Sequence, residues 1–171
     1  MRNLLTVLLL VFPLSVLAMD EKCLLSKYEE YAAAQVNWQK DLTELITLNN
    51  TELKEVADLY LNDQLLLIQK SVMAVTMLLD LSPEKLESTK AINQWLKLEE
   101  SDDNELAKQS AAYNQVLEKY KANKKREPHK NGDKLREIMR TKIISSKDFK
   151  VLYSNFSDKV RVINNTVCSA I

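Results

Sequence analysis

Side chains with catalytic or metal-binding chemistry are few in this 171-residue chain, and histidine is the scarcest of them. His129 is the only histidine, so two-histidine zinc sites, paired Glu-x-x-His di-iron sites and histidine-based triads are excluded by count. It stands between Pro128 and Lys130 in a polar stretch, which predicts a solvated loop residue. We therefore expect no catalytic residue, no metal site and no bound cofactor.

Acidic residues are the remaining candidates for acid–base chemistry. Glu29–Glu30 and Asp102–Asp103 are adjacent pairs, and adjacent side chains on a helix point about 100° apart, so neither pair converges on one substrate atom. A glycosidase that uses carboxylates from two different helices is the enzymatic alternative that the composition leaves open. Without other substrate-binding signals, we expect that the chain is not an enzyme.

The first eighteen residues have the layout of a secretory signal peptide. A cationic head at 1–3 precedes an apolar run at 4–11, and 15–18 supply a small-residue cleavage site. We expect residues 1–18 to be removed and 19–171 to form one exported domain, periplasmic in a Gram-negative bacterium and secreted otherwise. Export to an oxidising compartment predicts a disulfide between Cys23 and Cys168, the only two cysteines.

Apolar residues recur at three- and four-residue spacing along most of the mature chain, without strand-like alternation. This periodicity predicts a first helix over 24–48 and a second that begins after Thr51. The second helix is apolar over most of its circumference at 65–81. That stretch includes Lys70 and is short for a membrane span, so it predicts a buried central helix and no transmembrane segment after signal cleavage.

Start and stop signals divide the rest of the chain. Ser82-Pro83-Glu84 predicts the start of a third helix, because Ser caps free amide groups and Pro suits the first helical position. A capping-box pattern at Asp102 and Glu105 leaves two alternatives for this pass: one long helix with a polar middle, or two nearly coaxial pieces. A polar loop over 121–132 follows. Asp133 is predicted to cap the last pass, in which 145–146 are a candidate break.

The expected disulfide constrains the topology. It brings the start of the first helix next to the end of the last, and an even number of antiparallel passes achieves this. With connections near 49–51, 81–82 and 127–132, the sequence predicts an all-α, up-down-up-down bundle of four long passes, closed by one terminal disulfide.

Charge is balanced overall but segregated along the chain. The formal net charge is zero, which argues against nucleic acid or an anionic membrane as partner. Five carboxylates and no cation lie between 99 and 106, whereas seven cations and two anions lie between 119 and 134. The candidate partner-binding surface, named the acidic run, is Glu99, Glu100, Asp102, Asp103 and Glu105. The secondary basic surface is Lys121, Lys124, Lys125, Arg126 and Lys130.

Exclusion of other classes leaves an exported, non-enzymatic interaction protein as the first expectation. Its most concrete version is a periplasmic inhibitor or immunity-type protein, whose partner is another protein and whose binding weakens as salt rises. The alternative is a carrier of a small apolar ligand near Met73, Met77 and Trp95. Methionines four residues apart on an apolar helix are also typical of core packing, as is a tryptophan beside a core position.

Overall fold

Helices make up the regular structure of residues 20–48 and 50–168, which are the residues that the computed structural model describes, and no β-strand occurs among them. The predicted all-α fold is confirmed. The predicted signal peptide at 1–18 lies outside the described residues. The helices are α1 (Glu21–Leu48), α2 (Lys54–Leu81), α3 (Glu100–Gln109), α4 (Ala111–Lys125), α5 (Gly132–Ile138) and α6 (Lys147–Asn165).

The first two helices begin and end close to the predicted positions. Asp20 Oδ1 accepts hydrogen bonds from the backbone N–H groups of Lys22 (3.0 Å) and Cys23 (3.2 Å), which caps the start of α1. In the turn before α2, the buried side-chain amide of Asn50 donates to the carbonyl of Ile46 (2.9 Å). A 3-10 turn then leads into α2, which packs along α1.

The predicted third helix from Ser82 is wrong. Residues 82–99 contain only two short 3-10 turns, Pro83–Lys85 and Ile92–Gln94. One local and one tertiary hydrogen bond hold this segment: the indole Nε1 of Trp95 donates to the carbonyl of Lys90 (2.9 Å), and the backbone N–H of Ile92 donates to Asn164 Oδ1 on α6 (2.8 Å). Burying Trp95 and Ile92 in this irregular conformation outweighs the local start signal.

The next pass has two helix boundaries: one at Glu100, close to the predicted capping box, and one at Ser110 that was not predicted. Helix α3 begins at Glu100, where Asp102 Oδ2 accepts from the backbone N–H of Glu99 (3.0 Å). It ends at Ser110, whose backbone is extended and whose hydroxyl accepts from the N–H of Tyr113 (3.2 Å). Serine is a favourable N-cap, so Ser110 ends one helix and starts the next. Helices α3 and α4 pack against each other.

The last pass is also interrupted. Helix α5 begins at Gly132 after Asn131, so Asp133 lies inside the helix rather than at its cap as predicted. A π-helical turn, Met139–Ile143, follows α5. The predicted break at 145–146 is confirmed, since Ser146 Oγ caps α6 by accepting from the N–H of Phe149 (3.1 Å).

The disulfide joins the two ends of the described fold. Cys23 and Cys168 are bonded, with Cα atoms 5.6 Å apart, as the sequence predicted. Helix α6 therefore ends beside the start of α1, and it packs along α1 while α4 packs along α2. The described residues form six helices and an irregular segment, where the sequence predicted four long passes with possible breaks in the third and fourth.

Buried apolar side chains form two clusters. The larger one contains Trp95, Tyr113 and Val75 and lies towards the disulfide. The smaller one contains Leu53 and Leu135, where the end of α1, the start of α2 and α5 meet. The two clusters stabilise opposite ends of the α1–α2 pair.

One described stretch, Thr51–Leu81, is long and apolar enough to cross a membrane by length and composition. Core helices of soluble proteins meet the same test, so this property alone is weak evidence for a span. The absence of a transmembrane segment stays a prediction.

Candidate functional site

Part of the acidic run is paired with lysines of the same chain. Lys85 Nζ lies 2.9 Å from Asp102 Oδ1 and 3.3 Å from Glu105 Oε2. The Lys85 ammonium and the backbone N–H of Glu99 hold the pKa of the Asp102 carboxyl below its usual range. Asp103 is paired with Lys70. Three of the five carboxylates thus have internal partners, and the run is not the free negative surface that its sequence suggests.

Asp103 belongs to a buried polar cluster that joins three helices. Lys70 Nζ on α2 lies 2.6 and 2.8 Å from the two Asp103 carboxylate oxygens, and the Tyr113 hydroxyl donates to Asp103 Oδ1 (2.5 Å). The Lys70 ammonium also lies 5.3 Å from the ring centroid of Tyr120. Burial, together with the Asp103 carboxylate, raises the pKa of Tyr113. Because each polar group finds its partner within the cluster, we assign it a structural role.

Several side chains of the secondary basic surface already contact other residues of the same chain. Arg126 is 2.7 Å from Asp63, which also accepts from Asn123 (2.8 Å), so this end of α4 is tied to α2. Lys121 is 3.4 Å from Glu118, and the Lys124 ammonium lies 5.0 Å from the Tyr120 ring centroid. Lys125 and Lys130 are exposed.

The solvated loop position predicted for His129 is wrong. Its side chain is only 14% exposed, and its Nε2 lies 3.5 Å from Glu55 Oε1. The backbone N–H of Asn131 donates to His129 Nδ1 (3.1 Å). The histidine therefore helps to hold the loop before α5 against the start of α2.

The three residues expected to surround an apolar ligand are core residues. Trp95 is fully buried and its ring stacks on Tyr28, with centroids 6.1 Å apart. Met73 and Met77 pack against the same cluster. The described geometry leaves the Trp95 ring no free face for a ligand, so an apolar site must be sought elsewhere.

A further candidate contact surface lies between α1 and α6. We define the α1–α6 surface as the shallow groove of about 380 Å³ lined by Asp41, Glu44, Leu45, Leu48, Asp148, Val151 and Leu152. Leu48 is 67% exposed and Val151 is 50% exposed, so two large aliphatic side chains face solvent side by side. Three carboxylates and no cation line the same groove.

A cluster of aromatic side chains joins the two helices that form this surface. Trp38 on α1 packs against Phe149 and Phe156 of α6, with ring centroids 5.6 and 5.4 Å apart. Tyr153, which is exposed, stacks on Phe149 and lies 6.0 Å from Trp38. Large interlocked rings hold α6 at a fixed position on α1, so the exposed aliphatic side chains are presented from a rigid base.

Sequence reasoning missed this surface because its charges are not consecutive. Asp41 and Glu44 are three residues apart on α1, and Asp148 comes more than a hundred residues later. A usable signal was present in α6, where Val151 and Val162 fall outside the stripe of residues that bury against α1. Surplus apolar residues on an otherwise amphipathic helix point to a contact surface.

Comparison with protein-family models, curated proteins and solved structures finds no match to this chain. Within residues 20–48 and 50–168, no group of three or more His, Cys, Asp or Glu side chains is arranged to hold a metal ion.

Proposed function

We propose that this chain is an exported, non-enzymatic protein-binding module that contacts its partner through the α1–α6 surface. The observation that carries the proposal is the exposure of Leu48 and Val151 inside a rim of carboxylates. Desolvated apolar side chains surrounded by a polar rim are the usual anatomy of a protein interface.

The partner is expected to present apolar side chains next to lysine or arginine. Asp41, Glu44 and Asp148 supply negative charge, and none of the three forms an ion pair with another described residue. Complementary charge at the rim speeds association and selects the partner, whereas the apolar centre supplies affinity. The partner's contact surface is therefore basic at its edge and apolar at its centre.

Export and the class of partner are proposed from the sequence. The signal-peptide pattern at 1–18 predicts export, and the Cys23–Cys168 bond is typical of an oxidising compartment. In a Gram-negative host, the most concrete role is a periplasmic inhibitor or immunity-type protein that blocks an enzyme by covering a basic surface. The contacts of α1 with α2 and α6, and of α2 with α4, favour a four-pass bundle as its scaffold.

Site-specific photocrosslinking in the native host tests this proposal. A photoreactive amino acid at Val151 on α6 is expected to trap one predominant protein, identified by mass spectrometry. The matched control places the same group at Ala122, which is exposed on α4. An adduct from position 151 that is missing from position 122 supports the proposal. Identical adducts from both positions, or none from 151, would contradict it.

A further inference from the structure

A second concave site lies on another side of α1 and has the opposite charge. It is a groove of about 490 Å³ between α1, α2, α5 and the π turn, within the size range of small-molecule sites. We call it the arginine groove. Its apolar lining comes from Leu42, Ile46, Ala57, Leu61, Leu135 and Met139.

The charged groups at the groove are both arginines. Arg136 and Arg140 line it one helical turn apart, and no carboxylate is among the lining residues. Each arginine is paired with an acid three residues earlier, Asp133 and Glu137, outside the lining. Such exposed pairs are weak, so the guanidinium groups can exchange them for a better anion. A planar carboxylate matches the guanidinium fork.

The π turn shapes the mouth of the groove. The backbone N–H of Ile144 donates to the carbonyl of Met139 (3.0 Å), five residues earlier, and the wider turn carries Met139, Arg140 and Ile144 to the groove. Ile144 is half exposed there, and the partly exposed Tyr60 lines the opposite wall on α2. Single π turns are frequent at functional sites.

We propose that the arginine groove binds a single-chain amphiphile that ends in a carboxylate. The aliphatic chain lies along the apolar lining, and the carboxylate binds Arg136 and Arg140. The concave shape and the pair of cations at one wall suit one chain with one head, rather than a flat membrane surface. The α1–α6 surface shares no residue with this groove, so the two proposals can be tested independently.

Calorimetric titration of the mature, disulfide-bonded protein tests the inference. Dodecanoate, added below its micelle concentration, is expected to bind with a stoichiometry of one. The Arg136→Glu/Arg140→Glu variant should bind dodecanoate at least about tenfold more weakly, with little change in the affinity for dodecanol. The matched control is Arg161→Glu, since Arg161 forms the same exposed pair with an acid three residues earlier but lies on α6. This control should bind both ligands like wild type.

A variant that fills the groove checks the site itself. Thr43→Trp places a large ring at the lining and should abolish binding of both dodecanoate and dodecanol while the melting temperature stays near that of wild type. The inference is overturned if dodecanoate does not bind, if Arg161→Glu weakens it as much as the groove variant, or if Thr43→Trp leaves it unchanged. Binding to anionic phospholipid vesicles without binding of monomeric dodecanoate would also overturn it.

Discussion

The ammonium of Lys70 lies within 2.6–2.8 Å of both carboxylate oxygens of Asp103, and the two side chains are only 7% and 16% exposed. Lys70 stands in α2, an apolar helix, and Asp103 comes from the acidic run. One buried pair therefore explains both why a charge is tolerated in α2 and why Asp103, unlike the exposed Glu99 and Glu100, faces the interior.

Removing one partner of this pair should be strongly destabilising. Lys70→Met leaves the Asp103 carboxylate buried without its cation, and we expect a loss of about 3–5 kcal/mol in the free energy of unfolding. The double variant Lys70→Met/Asp103→Leu should recover most of that loss. Urea unfolding measures both values.

The exposed pair Lys54–Asp58 is the control for that experiment. Lys54→Met should change stability by less than about 0.5 kcal/mol. A Lys70→Met variant as stable as Lys54→Met would show that the buried cluster does not hold α3 and α4 on α2.

Stability should fall at alkaline pH because two buried tyrosines resist ionisation. Burial raises the pKa of Tyr28 to about 12, and it also raises the pKa of Tyr113. A raised folded-state pKa stabilises the fold fully below the unfolded value near pH 10, and this contribution is lost as pH rises towards about 12. Melting temperatures across this interval should therefore fall less steeply for Tyr28→Phe than for wild type.

The exposed Tyr153 provides the comparison for this pH dependence. Tyr153→Phe should keep the wild-type alkaline profile. If Tyr28→Phe and Tyr153→Phe have the same profile, burial of Tyr28 does not account for the loss of stability.

Loss of the disulfide should destabilise the fold without removing its helices. The bond closes a loop with a sequence separation of 145, and the chain-entropy model gives about 4–5 kcal/mol for such a loop. The Cys23→Ser/Cys168→Ser variant should keep its helical circular dichroism and unfold at lower denaturant. Unchanged stability in the double variant would mean that the ends of α1 and α6 are held together by packing alone.

Sequence reasoning succeeded for the end of α1 at Leu48, the break at 145–146 and the terminal disulfide. These follow from helix-stop signals, from spacing and from the expected redox environment. It failed at 82–99, where Trp95 and Ile92 are buried in the core and the backbone N–H of Ile92 donates to Asn164 on α6. The start signal at Ser82 contained no information about those partners.

The charges of the two candidate surfaces depend on distant residues in the same way. Consecutive carboxylates at 99–105 are conspicuous in the sequence, but their partners Lys70 and Lys85 come from distant positions. The carboxylates of the α1–α6 surface are scattered over two helices and come together only when α6 packs on α1. Neither fact can be obtained from the spacing of charges along one segment.

The association rate constant of the partner identified by photocrosslinking tests the α1–α6 surface most directly. It is measured by stopped flow at low and high salt. The surface variant is Asp41→Lys/Glu44→Lys/Asp148→Lys, and the control is Glu84→Lys/Glu99→Lys/Glu100→Lys, which changes the net charge equally at exposed residues elsewhere. We predict that the surface variant associates at least about tenfold more slowly at low salt, and that the control stays within about twofold of wild type. Equal slowing in both variants, or no slowing in the surface variant, would contradict the α1–α6 surface as the contact site.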